Sequence, residues 1–294
     1  MRLLLYIKEK YKDLSNRELK RAFERGACLV NGKIERYASR KIDPTKDKIE
    51  FTYVKTEAQA KLEIKPSRIV YEDEYLLVYD KEAGHPIMAT EAKAETNLHH
   101  ELKKYLKARI ENPCSTLNPV HRLDRQTSGL CIFAKEQEAL KELTRMFKDK
   151  EIQKTYEAIV DGKWQHPKQG KIENYLKLKQ KINTMQIWQV VDSPKYGAKL
   201  AITNYKLIKA YDKYSHMHLE PLTGRTHQLR LHMAHLGYPI LGDTVYAQNF
   251  KFKKIFDRHL LHAAKLEFKH PITKKRLRLV AELPVEFVDL IKGG

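Results

Sequence analysis

No run of about 18 apolar residues occurs in the 294-residue chain, so a helical membrane span is not expected. The apolar start, Leu3-Leu4-Leu5-Tyr6, spans four residues, too few for the core of a secretion signal. Cysteine is scarce: Cys28, Cys114 and Cys131 are odd in number, widely spaced and without a C-x-x-C pair. Neither a disulfide framework nor a zinc ribbon fits that pattern, and a reducing cytoplasm suits it. Internal repeats, low-complexity tracts and a phosphate-binding glycine loop are also missing. Acidic residues are the remaining shortage: 37 Asp and Glu against 56 Lys and Arg leave a net charge of +19 and a pI near 9.6. A polyanionic partner follows, with nucleic acid as the first candidate.

The length allows a large domain plus a small one. Residues 1–56 hold 15 Lys or Arg against 8 Asp or Glu, which marks a small basic module. Within it Ser15-Asn16-Arg17-Glu18 has the form of a capping box. It opens a helix whose apolar face is Leu19, Ala22 and Phe23, with Lys20, Arg21 and Arg25 largely off that face. Asn31-Gly32 between Val30 and Lys33 signals a type I′ hairpin, and Ile49 to Val54 reads as a further strand. Residues 57–67 are polar and small and include Pro66, the composition of a linker. The second domain is expected over 68–294.

In that domain Ile69 to Tyr71, Leu76 to Tyr79, Lys154 to Val160, Met185 to Val191, Leu200 to Ala210 and His216 to Glu220 read as strands. Leu98, Leu102, Leu106 and Ile110 recur every four residues and predict an amphipathic helix. Leu140, Leu143 and Phe147 predict a second. A third starts near Thr226 as N-cap, buries Leu229, Met233 and Leu236, and stops at Gly237.

Between the first two helices lies the densest group of polar residues, His121-Arg122-Leu123-Asp124-Arg125-Gln126-Thr127-Ser128-Gly129, followed by the apolar run Leu130 to Ala134. A carboxylate between two arginines is held ionised and can serve as nucleophile or base. A charged surface turn is the structural alternative. His227, His232 and His235 raise a metal reading, that of a metal-dependent hydrolase, although no carboxylate or Cys completes the set in sequence.

The loop from His121 to Gly129 resembles the signature of the RluA-type pseudouridine synthases. Lys154-Thr155-Tyr156-Glu157-Ala158 is similar to that family's second motif, and Gly224-Arg225-Thr226-His227-Gln228-Leu229-Arg230-Leu231-His232 to its third. Gly237 to Asp243 and Leu261 to Pro271 match in order and spacing. The likeness spans roughly residues 68–285. Near Lys81 the chain departs from the family: Glu82 stands where Pro is usual, and Gly84-His85-Pro86 runs together. No role is assigned to that loop. The first 56 residues resemble an S4 RNA-binding domain.

The resemblance implies an α+β catalytic domain built on a large, mostly antiparallel mixed sheet with a central cleft, plus the small S4-like α/β module. It implies isomerisation of uridine to pseudouridine in RNA, with no cofactor and no metal because substrate and product are isomers. Asp124 is then the catalytic residue, either attacking the nucleoside or removing a ribose proton. Arg225 is expected to pair with Asp124, and Tyr156 to lie against the base, where it could take the C5 proton, a task for which a phenol of pKa near 10 needs help. Arg122 is expected to fill the gap that a flipped uridine leaves. Lys20, Arg21, Arg25 and Lys33 are expected to contact phosphates. Large-subunit ribosomal RNA is the favoured substrate and transfer RNA the runner-up; no obligatory protein partner is evident. A non-catalytic RNA-binding or ribosome-assembly protein on the same fold is the other alternative.

Overall fold

The computed structural model describes residues 1–24, 27–51, 62–88, 97–109, 116–182, 185–247, 252 and 256–293. The N-terminal unit begins with α1 (Leu3–Lys10) and α2 (Asn16–Glu24). Ser15 and Glu18 form the expected reciprocal box: the Ser15 amide donates to Glu18 Oε2 at 2.6 Å, and the Glu18 amide to Ser15 Oγ at 3.2 Å. Strands β1 (Cys28–Val30), β2 (Lys33–Ile34) and β3 (Ile49–Phe51) form a sheet in the order β2-β1-β3. At the hairpin Asn31 and Gly32 both have positive φ, 54° and 75°, as a type I′ turn demands. Leu3, Ile7, Leu19, Phe23, Cys28 and Val30 share one small core.

The larger unit is organised on an eleven-stranded sheet. In chain order its elements are β4 (Ile69–Glu72), β5 (Leu76–Lys81), α3 (Leu98–Lys107), β6 (Asn118–Pro119), β7 (Ser128–Ala134), α4 (Gln137–Lys148) and β8 (Gln153–Asp161). There follow β9 (Gln169–Ile182), β10 (Met185–Val191), β11 (Lys199–Ala210), β12 (Tyr214–Pro221), α5 (Gln228–His235), β13 (Leu261–Lys269), β14 (Arg276–Val280) and α6 (Val285–Lys292). The strand order is β10-β9-β11-β12-β8-β13-β7-β5-β4, with β14 beside β13 and β6 beside β7. Among the described residues every pairing is antiparallel except β13 with β7. The lysine-rich β9 is a strand that the sequence reading did not single out. Beyond Leu176 it pairs with β10 alone, and residues 178–181 are exposed although the sequence there alternates. No helix among the described residues is long and apolar enough to cross a membrane.

Strand β7 explains the apolar run after the signature loop. Leu130, Ile132 and Ala134 face α4 through Ala139, Leu143 and Met146. Cys131 and Phe133 face α3 through Leu98, Leu102 and Leu106. Alternate residues point to opposite faces, so a strand covered by helices on both sides must be apolar throughout. The buried stripe of α4 is centred on Ala139, Leu143 and Met146, with Leu140 and Phe147 on its flank. Helix α3 is capped by Asn97, whose side chain accepts the His100 amide at 3.0 Å. Ile110, expected in this helix, and the stretch 57–61 of the expected linker lie outside the described residues. Leu62 joins the α3 core.

The parallel pair sets a steric requirement. Gly129, opposite Ala263, has φ +111°, and a Cβ there would lie 2.3 Å from the Ala263 carbonyl oxygen. Neither strand is free to withdraw. Gly129→Ala is therefore expected to destabilise the protein by more than about 2 kcal/mol, read as a lower urea midpoint at unchanged slope.

Candidate active site

The signature loop is anchored before Asp124 is placed. The Ile132 amide donates to His121 Nε2 at 3.0 Å, and the His121 ring stacks on Phe147 at 4.8 Å. Leu123 is buried in the α3 core. Thr127 Oγ1 lies 2.8 Å from His259 Nε2, and Ser128 Oγ 2.8 Å from His262 Nδ1. Burial holds His121 and His259 down to about 3 and His262 to about 4. All three are neutral structural histidines at neutral pH.

The divergent stretch after β5 supplies the second anchor. Lys81 is buried, 1% exposed, and its Nζ donates to the carbonyls of Glu82 and His85 at 3.0 Å and of Arg125 at 3.1 Å. Arg125 Nε donates back to the Gly84 carbonyl at 2.8 Å, and the Gly84 amide to the Arg125 carbonyl at 2.8 Å. Glu82, in the place of the usual Pro, accepts from Lys65 at 2.9 Å and faces Arg68 at 3.3 Å. The loop to which no role was assigned thus braces the residue next to Asp124.

Asp124 Oδ2 receives Arg230 Nη1 at 3.2 Å. The same guanidinium holds Asp243 with two further donors, Nε to Oδ2 at 2.7 Å and Nη2 to Oδ1 at 2.9 Å. Asp243 Oδ1 also accepts the amides of Val245 and Tyr246. Burial pushes both carboxyls up, but the surrounding positive groups outweigh it: Asp124 sits below its ordinary value and Asp243 at about 2. For Asp124 the opposing groups are His227, Arg230 and His259. Burial keeps His227 down to about 4, so at neutral pH Arg230 is the charged one. Arg230 itself is raised by the two carboxylates despite its burial. Oδ1 of Asp124 takes no hydrogen bond from the described residues.

Asp124, His227 and Arg230 line a cleft of about 560 Å³ that also includes Arg122, Tyr156, Arg225 and the lysines Lys148, Lys150 and Lys154. Asp124, Tyr156, Arg225 and Arg122 are therefore brought together. The expected pairing of Arg225 with Asp124 is corrected by the geometry. Arg225 is exposed, and its Nε donates to the Leu200 carbonyl at 2.9 Å. Arg230 takes the position instead. His227, in left-handed backbone at φ 56°, separates the two arginines and turns the chain into α5; it is His227, not Thr226, that stands at the N-cap. Arg230 lies three residues before the buried Met233, on the inward side of that helix. A buried arginine requires carboxylates, and this was the signal available in sequence.

Tyr156 is partly buried between two cores. Burial, with Cys131 and Asp124 nearby, pushes its phenol up. The environment thus opposes the proton-accepting task. Both ring nitrogens of His232 are engaged, Nδ1 with Thr203 Oγ1 at 2.9 Å and Nε2 with Asn174 Oδ1 at 3.0 Å, and His235 is exposed. Among the described residues no group of three or more His, Cys, Asp or Glu could hold a metal ion. Arg25 lies outside the described residues, and of Lys20, Arg21 and Lys33 only the backbone is described.

An ionised carboxylate with one oxygen not hydrogen-bonded among the described residues, set in a basic cleft on a mixed sheet, suits chemistry on a polyanion. Residues 75–235 match the RNA pseudouridylate synthase family. The chain belongs to that family, whose members are isomerases acting on RNA. It is 35% identical over 236 residues to ribosomal large subunit pseudouridine synthase D of Zymomonas mobilis, covering 77% of this chain and 72% of that protein. Identity to tRNA pseudouridine synthase C of Vibrio vulnificus is 36% over 231 residues, 73% of this chain and 90% of the relative. The fold resembles that of human RNA pseudouridylate synthase domain containing 4, with a TM-score of 0.64 at 23% identity, over 77% of this chain and 92% of that one.

Proposed function

We propose that the protein converts uridine to pseudouridine in large-subunit ribosomal RNA, with Asp124 as the catalytic carboxylate. The observation that carries this is the division of labour at Asp124: Arg230 holds Oδ2, while Oδ1 carries no hydrogen bond from the described residues. The glycosidic bond to N1 breaks, the uracil turns while bound, C5 joins the ribose, and the C5 hydrogen leaves as a proton. Ionised Asp124 serves the first step as nucleophile or as base toward a ribose proton. Tyr156 supports the base by packing against its face, since its raised phenol is a poor proton acceptor. Asp124, whose charge Tyr156 feels, is the ionised group available to take the proton.

Arg122 is exposed at the cleft and fills the space that the uridine leaves on flipping out, offsetting part of the few kcal/mol of unstacking. The basic N-terminal unit acts as an S4-like module whose phosphate contacts orient the RNA. The cytoplasm, where these RNAs are made and used, is its expected place.

Ribosomal RNA is favoured by the relatives named for the large subunit, and transfer RNA stands second on the relatives named for it. Tritium release from RNA labelled at uracil C5 decides between them. Release from the ribosomal fraction alone is the expected result. Release confined to transfer RNA would move the assignment there, and none from either would favour a binding protein.

A further inference from the structure

His227 combines two features that its neighbours lack. Its backbone is left-handed, φ 56° and ψ 17°, a costly state for a side chain with a Cβ, and one that persists where surroundings enforce it. Its ring bridges two functional groups: Nδ1 lies 2.6 Å from the Tyr246 hydroxyl, and Nε2 lies 3.8 Å from Asp124 Oδ2. The Tyr246 oxygen already accepts the Trp188 amide at 3.1 Å. Among the described residues no acceptor other than Nδ1 is bonded to that hydroxyl, so its proton goes to Nδ1. A neutral imidazole that accepts at Nδ1 carries its hydrogen on Nε2, and burial keeps this one neutral. That N–H is on the Asp124 side of the ring.

We propose that His227, with its tautomer set by Tyr246, is a positioning residue that holds Asp124 Oδ2 jointly with Arg230 and so presents Oδ1 to the substrate. The proposal rests on the assignment of Asp124 to the chemistry. At 3.8 Å the contact is longer than a hydrogen bond; catalytic contacts of this kind tighten when substrate fills the cleft. His227 is unsuited to be the base itself, because the lone pair of its Nδ1 is engaged by Tyr246. Tyr246 has a further contact with the array, its ring lying 5.0 Å from the Arg230 guanidinium.

Substitutions at both positions test this on an RNA that the wild type modifies. His227→Asn tolerates the left-handed backbone and keeps a polar group for Tyr246, but it is too short to reach Asp124. His227→Gln extends an amide N–H towards it. In single-turnover assays His227→Asn is expected to react roughly 10- to 100-fold more slowly with KM changed by less than about 2-fold, and His227→Gln to recover part of the rate. In 15N spectra the wild-type ring is expected as the Nε2–H tautomer, and Tyr246→Phe as a mixture. A purely structural role predicts lower stability, normal turnover of the folded enzyme, and no advantage of Gln over Asn; that pattern overturns the proposal. So does an Nδ1–H tautomer or an imidazolium in the wild type at neutral pH. If Asp124→Asn is inactive and His227→Asn is normal, the positioning role alone fails; if Asp124→Asn retains activity, the assignment of Asp124 fails first.

Discussion

Asp124→Asn is expected to lose at least about 10³-fold in isomerisation rate while unfolding within about 1 kcal/mol of the parent. The substitution keeps shape and removes charge, and the neutral amide can neither attack a sugar carbon nor hold a proton taken from it. Stability is spared because Arg230 keeps its two bonds to Asp243, so no buried charge is stranded. Rate by tritium release and stability by urea titration check the two halves separately. An Asn variant that turns over at a tenth of the wild-type rate would remove Asp124 from the chemistry.

Arg230→Met is expected to fail in both respects. Arg230 is 5% exposed and Asp243 1%, and removing one member of a buried ion pair strands the other, at about 3–5 kcal/mol. For a domain of this size that lowers the melting midpoint by roughly 10 °C. Activity is lost with it, since Asp124 loses its charged partner. Adding Asp243→Asn should restore much of the stability without restoring activity, because the amide oxygen can still accept the amides of Val245 and Tyr246. The sign of the pH effect follows from the same pair. Asp243 is held at about 2 against an ordinary 3.8, so its stabilisation is full above the ordinary value and is lost as pH falls through about 2. The double variant should lack that acid-side loss. Arg230→Lys is expected to be nearly as inactive, because a compact ammonium lacks the planar fork by which the guanidinium grips Asp243 with two donors while a third reaches Asp124.

Elements whose cause is local were legible in the chain. The capping box at Ser15, the Asn31-Gly32 turn, the Leu98-Leu102-Leu106 stripe and the apolar run of β7 each record a short-range geometric demand, namely orphan amides, positive φ, a helix face or a doubly covered strand. The signature around Asp124 was legible for the same reason, since its polar groups are contiguous. Where the cause was distant, local pattern was silent or misleading. Strand β9 alternates over Leu176-Lys177-Leu178-Lys179, yet residues 178–181 are exposed, so its lysines read as a solvated stretch and not as a strand of the sheet. Lys81 begins a loop to which no role was assigned, yet its ammonium is closed in by three carbonyls, one of them 44 positions away.

The sequence by itself determined the family and most kinds of element, and it singled out Asp124 as the candidate carboxylate. Which arginine meets that carboxylate was decided only by the tertiary structure. Arg225 and Arg230 sit five positions apart in one motif, and Asp124 is 106 positions from the one it contacts. The choice depends on the direction of the chain after the left-handed turn at His227 and on the burial that forces Arg230 to find two carboxylates at once. Local propensity carries information about the chain's next few residues; the choice of partner for a buried charge is made by everything that excludes water from it.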